Sequence, residues 1–179
     1  MPGWLQAALR SRRAGFGLIA AICVALLGYA LVLQHVKGLE PCPLCILQRY
    51  AFFGVLLLAL PGLADPRRLG TAACAGGLII ALAGAGVAAW HVHLQLDPPE
   101  YASCGPGLQT MITELPLARA LPRIFQGSGE CTTIDWTLFG VTMPGWSLAW
   151  LLVLALGFTL ILLQGRRAAL LKTAAPRPK

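Results

Sequence analysis

An all-α integral membrane protein, built as a four-helix bundle, is the fold class this sequence predicts. Three observations predict it. Of 179 residues, 57% are hydrophobic and only 12% are charged, where a soluble domain carries about 25% charged residues. Three uncharged runs, residues 15–33, 69–90 and 146–163, are each long enough as helix to cross a hydrocarbon core of about 30 Å. A fourth run, residues 45–63, carries Arg49 as its only charge.

The elements follow in order. Arg10, Arg12 and Arg13 precede the first run. That run exceeds the roughly 7–15-residue apolar core of a signal peptide and no clean small-x-small site follows, so it reads as a retained anchor. A short outer loop, residues 34–44, leads to the second span. The strictly apolar part of that span is short. It is accepted because an arginine near a helix end can extend its guanidinium to the interface. Gly76, Gly77, Gly84 and Gly86 enrich the third span in small residues. Small residues let membrane helices approach closely, which places this span inside the bundle.

The long second outer loop, residues 93–145, holds most of the soluble mass. Leu108, Met111, Ile112, Leu115, Leu121, Ile124 and Phe125 recur there at near-helical spacing, interrupted by Pro116 and Pro122. This pattern predicts a short helix on the membrane surface or, failing that, a loop packed on the bundle top. Met143-Pro144-Gly145-Trp146 closes the loop. Its proline can open the last span, and its tryptophan suits the interface. Residues 1–179 form one membrane domain without a repeat, ending in a disordered basic tail.

Charge sets the orientation. Both ends of the chain and the turn at Asp65 to Arg68 fall on one side, with ten of the fourteen lysines and arginines and one acid. The other side has four basic residues and six acids. The basic side is therefore cytoplasmic, with both termini there. The net charge of +7 reflects topology rather than nucleic-acid binding, and no basic-aromatic nucleic-acid motif occurs.

Four cysteines fall on the outer side: Cys42, Cys45, Cys104 and Cys131. Disulfides persist in such compartments. Cys23 and Cys74 lie within spans and read as small packing residues. Cys42-Pro43-Leu44-Cys45 stands at the mouth of an apolar helix. Thiols at a membrane boundary can face an aqueous partner and a lipid-soluble one, which suggests electron transfer between a thiol and something dissolved in the bilayer. Cys45 lies near a helix N-terminus, where amides and dipole favour a thiolate. Arg49, four residues on, shares its face and can support that thiolate, hold a ligand oxygen or anchor a lipid headgroup. Cys104 and Cys131 can pair only if the loop folds back, and a disulfide there would constrain it. Equally, Cys42 and Cys45 could form a static bond. His35 ends the first span, and His91 and His93 end the third. The latter two are two residues apart and face nearly opposite ways on a helix, so they do not make a chelating pair.

These residues resemble the DsbB family of bacterial inner-membrane disulfide-generating proteins. The resemblance rests on Pro41-Cys42-Pro43-Leu44-Cys45 with Gln48-Arg49-Tyr50, on Cys104 and Cys131, and on Met143-Pro144-Gly145-Trp146, and it covers most of residues 14–164. It implies a protein-disulfide:quinone oxidoreductase of the bacterial cell inner membrane, with its active cysteines periplasmic. It further implies that a periplasmic DsbA-like thioredoxin-fold oxidase attacks a Cys104–Cys131 disulfide and forms a mixed disulfide with Cys104. Freed Cys131 then attacks the Cys42–Cys45 pair at Cys42, and Cys45 passes electrons to ubiquinone or menaquinone, with Arg49 near the quinone oxygen. The resemblance also makes His91 quinone-proximal. The implied partners are the thiol oxidase, the membrane quinone pool and the lipid bilayer.

Other readings compete. A relative serving a dedicated thioredoxin-fold partner would keep every cysteine and change the loop, whose segment with Gly107, Gly127 and Gly129 is least motif-like. A zinc protein using the four outer cysteines is disfavoured because the second pair is split by 26 residues, and no metal ligand is assigned. A haem carrier using His35 and His91 leaves the cysteines unexplained, and a purely structural membrane protein would make the disulfides merely stabilising.

Overall fold

The computed structural model describes residues 11–98 and 130–174, with side chains described to residue 166. Among them four helices follow one another: α1 (Arg12–Val36), α2 (Pro43–Ala64), α3 (Gly70–Leu96) and α4 (Met143–Ala174). Each is long and apolar enough to cross a membrane, and the chain is a four-helix membrane bundle. The helices run past the outer ends of the apolar runs, because helical hydrogen bonding continues into polar residues such as Gln34 and Gln95. Cys104 and the surface helix expected over residues 108–125 lie outside the described residues.

Local chemistry sets the helix ends. Ser11 caps α1, its hydroxyl accepting from the Ala14 amide at 3.5 Å. Cys42 caps α2, its sulfur accepting from the Cys45 amide at 3.3 Å, and Pro43 occupies the first turn, where no amide is needed. At the far end of α2, Arg13 of α1 donates to the carbonyls of Leu63 at 3.1 Å and Ala64 at 2.9 Å. A cation on the last carbonyls satisfies groups that the helix leaves unpaired. The Asp65 carboxylate accepts from the amides of Arg67 and Arg68, both at 3.1 Å, and so turns the chain into α3.

The core is a seam of aromatic rings set against glycines. Phe16 and Phe158 meet with ring centroids 6.4 Å apart. Phe16 lies over Gly62, and Phe158 over Gly77. Gly84 lets Ala51 and Leu151 close in from the two neighbouring helices. The small residues of α3 thus bring α2 and α4 close to its backbone. A β-carbon at Gly77 would clash with the edge of the Phe158 ring, whereas one at Gly86 meets nothing within 4 Å among the described residues. Gly77→Val is therefore expected to cost about 1–3 kcal/mol by overpacking. Gly86→Val should be near neutral. Thermal unfolding in detergent checks the pair, and equal melting temperatures would sink this account of the seam.

One element was not foreseen. Strands β1 (Thr137–Leu138) and β2 (Val141–Thr142) pair antiparallel, with Thr137 opposite Thr142 and Leu138 opposite Val141. The two residues between them, Phe139 and Gly140, have φ of 52° and 76°. Positive φ at both central positions is a type I′ turn, which glycine and asparagine favour. Phenylalanine there carries about 1–3 kcal/mol of backbone strain.

Candidate functional site

The site forms where the Cys42 end of α2 meets the end of α1, the end of α3, the segment around Cys131 and the start of α4. Cys45, Gln48, Arg49 and Phe52 fall at helical spacing on one face of α2, and all four line a cavity of about 230 Å³. The rest of that cavity is largely apolar, with Leu26, Leu33, Trp136, Trp146 and Trp150 among its walls. A smaller cavity of about 60 Å³ adjoins it, lined by Cys42, His91, Gln95, Glu130, Thr133 and Asp135 among others. Cys45 and Arg49 border both cavities. A sulfur and a cation therefore stand at the boundary between an apolar space and a polar one.

The two thiols are in contact. Cys42 Sγ donates to Cys45 Sγ at 3.0 Å, and both cysteines are free. The thiol of Cys42 is pushed well above its usual range, first by that hydrogen bond and then by burial. In this pair Cys42 is the donor and the Cys45 sulfur the acceptor.

His91 organises the polar side. Its side chain is 1% exposed. Nε2–H donates to the Cys131 carbonyl at 3.0 Å, and Nδ1 accepts from the Gln48 amide at 3.1 Å. These two bonds fix the imidazole in the Nε2–H tautomer. The same Nε2 lies 3.6 Å from Cys42 Sγ. One ring therefore touches the first cysteine pair and the backbone of the loop cysteine. Cys131 is disulfide-bonded and is buried with Cys42 and Leu44 in a small apolar cluster. His93 is exposed, as expected from its offset of two residues.

Arg49 departs from the expected snorkelling. It is 7% exposed and donates from Nη1 to Gln34 Oε1 at 2.7 Å. The end of α1 offers an amide acceptor at the level of the guanidinium, and a bond to a charged donor is stronger than an interfacial contact. Gln34 and Gln48 were not singled out as site residues. For Gln48, the available signal was its place one turn beyond Cys45, on the Arg49 side of the helix.

The structure thus brings together Cys42, Cys45, Cys131, Arg49 and His91. His91 lines the polar cavity rather than the apolar one. His35 is exposed, bonds its own Leu31 carbonyl at 3.0 Å and lines neither cavity, so it does not converge with His91 on a haem. The ligand atoms of Cys42, Cys45 and His91 lie within 4.8 Å of one another. Both nitrogens of His91 already hold protein partners, and a structural zinc site wants four ligands.

The family model for "Disulfide bond formation protein DsbB" matches residues 12–161. The chain belongs to the DsbB family. Relatives named "Disulfide bond formation protein B" agree along nearly their whole length. The one from Aromatoleum aromaticum is 48% identical over 165 residues, 91% of this chain and 99% of the relative. That of an Azoarcus species is 49% identical over 160 residues, covering 88% and 96%, and that of an Acidovorax species 45% over 172 residues, covering 94% and 96%. As a DsbB-family member this is a multi-pass membrane protein with a redox role in disulfide bond formation.

Proposed function

We propose that this chain reoxidises a periplasmic, DsbA-like thiol oxidase by disulfide exchange and passes the electrons to membrane quinone, from the bacterial inner membrane with its cysteines on the periplasmic side. The observation that carries this reading is the position of Cys45, whose residue borders both the polar cavity around Cys42 and His91 and the apolar one. Tyr29 and Leu138 line the apolar cavity and are themselves exposed, which supports entry of an apolar ligand from lipid.

The residues fit a quinone. Arg49 and Gln48 offer donors to a carbonyl oxygen at one end, and Phe52, Trp136 and Trp146 offer flat apolar walls. When bound, the quinone supplies an acceptor for two electrons and two protons, so one quinol accounts for one disulfide. The protein's own steps are thiol exchanges. A thiolate of the partner attacks the disulfide expected between Cys104 and Cys131, bonds to Cys104 and releases Cys131. Cys131 attacks Cys42 of an oxidised Cys42–Cys45 pair, and Cys45 leaves as a thiolate. A second partner thiol then attacks the partner sulfur bonded to Cys104, leaving as the partner's own disulfide and freeing the Cys104 thiolate. Cys104 attacks Cys131, breaking the Cys131–Cys42 bond and releasing Cys42. The reduced Cys42–Cys45 pair closes again as its two electrons are taken up.

His91 works on the exchange. Through the Cys131 carbonyl it holds that residue beside Cys42, and Gln48 holds the ring in turn. His91→Leu removes the bond to the Cys131 carbonyl and is expected to slow the Cys131-to-Cys42 exchange about tenfold, within the roughly 0.5–1.5 kcal/mol that one hydrogen bond contributes. Quinone reduction by a prereduced Cys42–Cys45 pair should slow far less. Single-turnover rates of the two steps check this, and equal losses in both would send His91 to the quinone instead.

The whole reading is tested by quinone-dependent thiol oxidation. The detergent-solubilised protein is reduced, freed of reductant and given a soluble ubiquinone analogue without oxygen. Loss of outer thiols matched by quinol formation is the expected result. Thiols that stay reduced in a folded protein would overturn it.

A further inference from the structure

The hairpin before α4 is apolar, exposed and folded in an unexpected direction. No charged residue occurs between Asp135 and Arg166, so the hairpin is chemically continuous with the span that follows it. It does not rise away from the bundle. The Trp146 indole, one turn into α4, donates to the Leu138 carbonyl at 3.2 Å. A β-carbon at Gly145 would fall 2.7 Å from Val141, which shows how closely β2 lies against the first turn of α4. Trp136 packs edge-on to Tyr29, about two turns inside the end of α1, at a centroid distance of 6.2 Å. The hairpin is therefore folded back alongside the helices to the depth of their outer turns.

At that depth its surface is hydrophobic. Phe139 at the tip is 89% exposed, with Leu138 and Val141 also exposed beside it. Val32 on α1 and Leu152 on α4 are exposed in the same way on the lipid-facing surface of the spans. In water an exposed phenylalanine in a strained turn gains nothing. Against lipid it removes apolar surface from water. The pairing of β1 with β2 satisfies part of the hairpin backbone, and the remaining polar groups suit the headgroup boundary rather than the hydrocarbon centre.

We propose that the Thr137–Thr142 hairpin is inserted in the bilayer interface with Phe139 among the upper acyl chains, and that it frames the lateral doorway to the apolar cavity. The second half of this rests on the quinone reading. Trp136 and Leu138 wall the cavity on one side, while the tip beyond them faces lipid. An acceptor with a long apolar tail leaves that tail in the bilayer, where it passes the hairpin. A tail-less ring makes no such contact.

Two measurements on the full chain in phosphatidylethanolamine/phosphatidylglycerol nanodiscs test the proposal. In the first, p-benzoylphenylalanine replaces Phe139, with a second protein carrying it at the lipid-facing Val153 as positive control. Irradiation should add the mass of a phospholipid at both positions. Adducts at position 153 alone, or adducts from position 139 to the chain itself or to an added thioredoxin-fold protein, would overturn lipid insertion. The second uses Phe139→Asn, which supplies the Asn-Gly pair that a type I′ turn favours and so keeps the hairpin while removing the ring. It should raise KM about fivefold or more for a long-tailed quinone and leave a ring-only quinone unaffected. Equal KM changes for both would overturn the doorway. If the unaltered protein reduces no quinone at all, the functional reading fails, while the lipid adduct still decides the placement of the hairpin.

Discussion

Serine at position 45 is expected to abolish acceptor-linked thiol oxidation, lowering quinol formation by about a thousandfold or more, because among the described residues no other cysteine lines the apolar cavity. Cys45 accepts the thiol proton of Cys42, stands in the first turn of α2, and borders both cavities. A serine hydroxyl fits the same space but neither forms a disulfide nor leaves as a stable anion. The exchange before it should survive. The partner's thiolate can still open the disulfide expected between Cys104 and Cys131. Cys131 then finds no disulfide at Cys42 to attack, so the block should fall inside the protein, ahead of the acceptor. Stopped-flow quinol formation and thiol counts separate the two stages. Quinol formation within tenfold of the unaltered protein would mean that the electrons leave by another residue.

Arg49→Met should be the next largest loss. The guanidinium is nearly buried, bonds Gln34 at 2.7 Å and reaches both cavities. A hydrogen bond to a charged group contributes about 1.5–3 kcal/mol, so KM for quinone should rise roughly ten- to a hundredfold. Methionine keeps the length and apolar volume of the side chain, which separates this effect from a packing defect. The exchange between Cys131 and Cys42 should be much less affected. A variant that loses exchange and quinone affinity together would show that the guanidinium supports the cysteine pair instead.

The bundle was legible because lipid imposes a strong rule, that a span must be almost wholly apolar. Three segments of this chain obey it strictly and a fourth breaks it only near one end, at Gln48 and Arg49. The offset of His91 and His93 was legible for a similar reason, since helical geometry alone puts them on different faces. The inward turn of Arg49 was not. A cation near a helix end can point either way, and the deciding partner, Gln34, lies on another helix, fifteen residues away in sequence. The link from Gln48 through His91 to Cys131 spans three elements, so no local spacing announces it. The hairpin escaped because two-residue strands are too short to alternate, and Phe-Gly is not the dipeptide that marks a type I′ turn.

The bond from Arg13 to the last carbonyls of α2 bears on how the molecule is made. By the positive-inside rule, a free cation ahead of the first span would hold that end on its own side of the membrane while the chain is being synthesised. In the folded bundle the same guanidinium is taken up by the carbonyls of Leu63 and Ala64. The orientation signal then becomes a latch. The first two helices should thereafter behave as one inserted unit, unable to invert without breaking that latch, and the third and fourth helices dock against a pair whose direction is already decided.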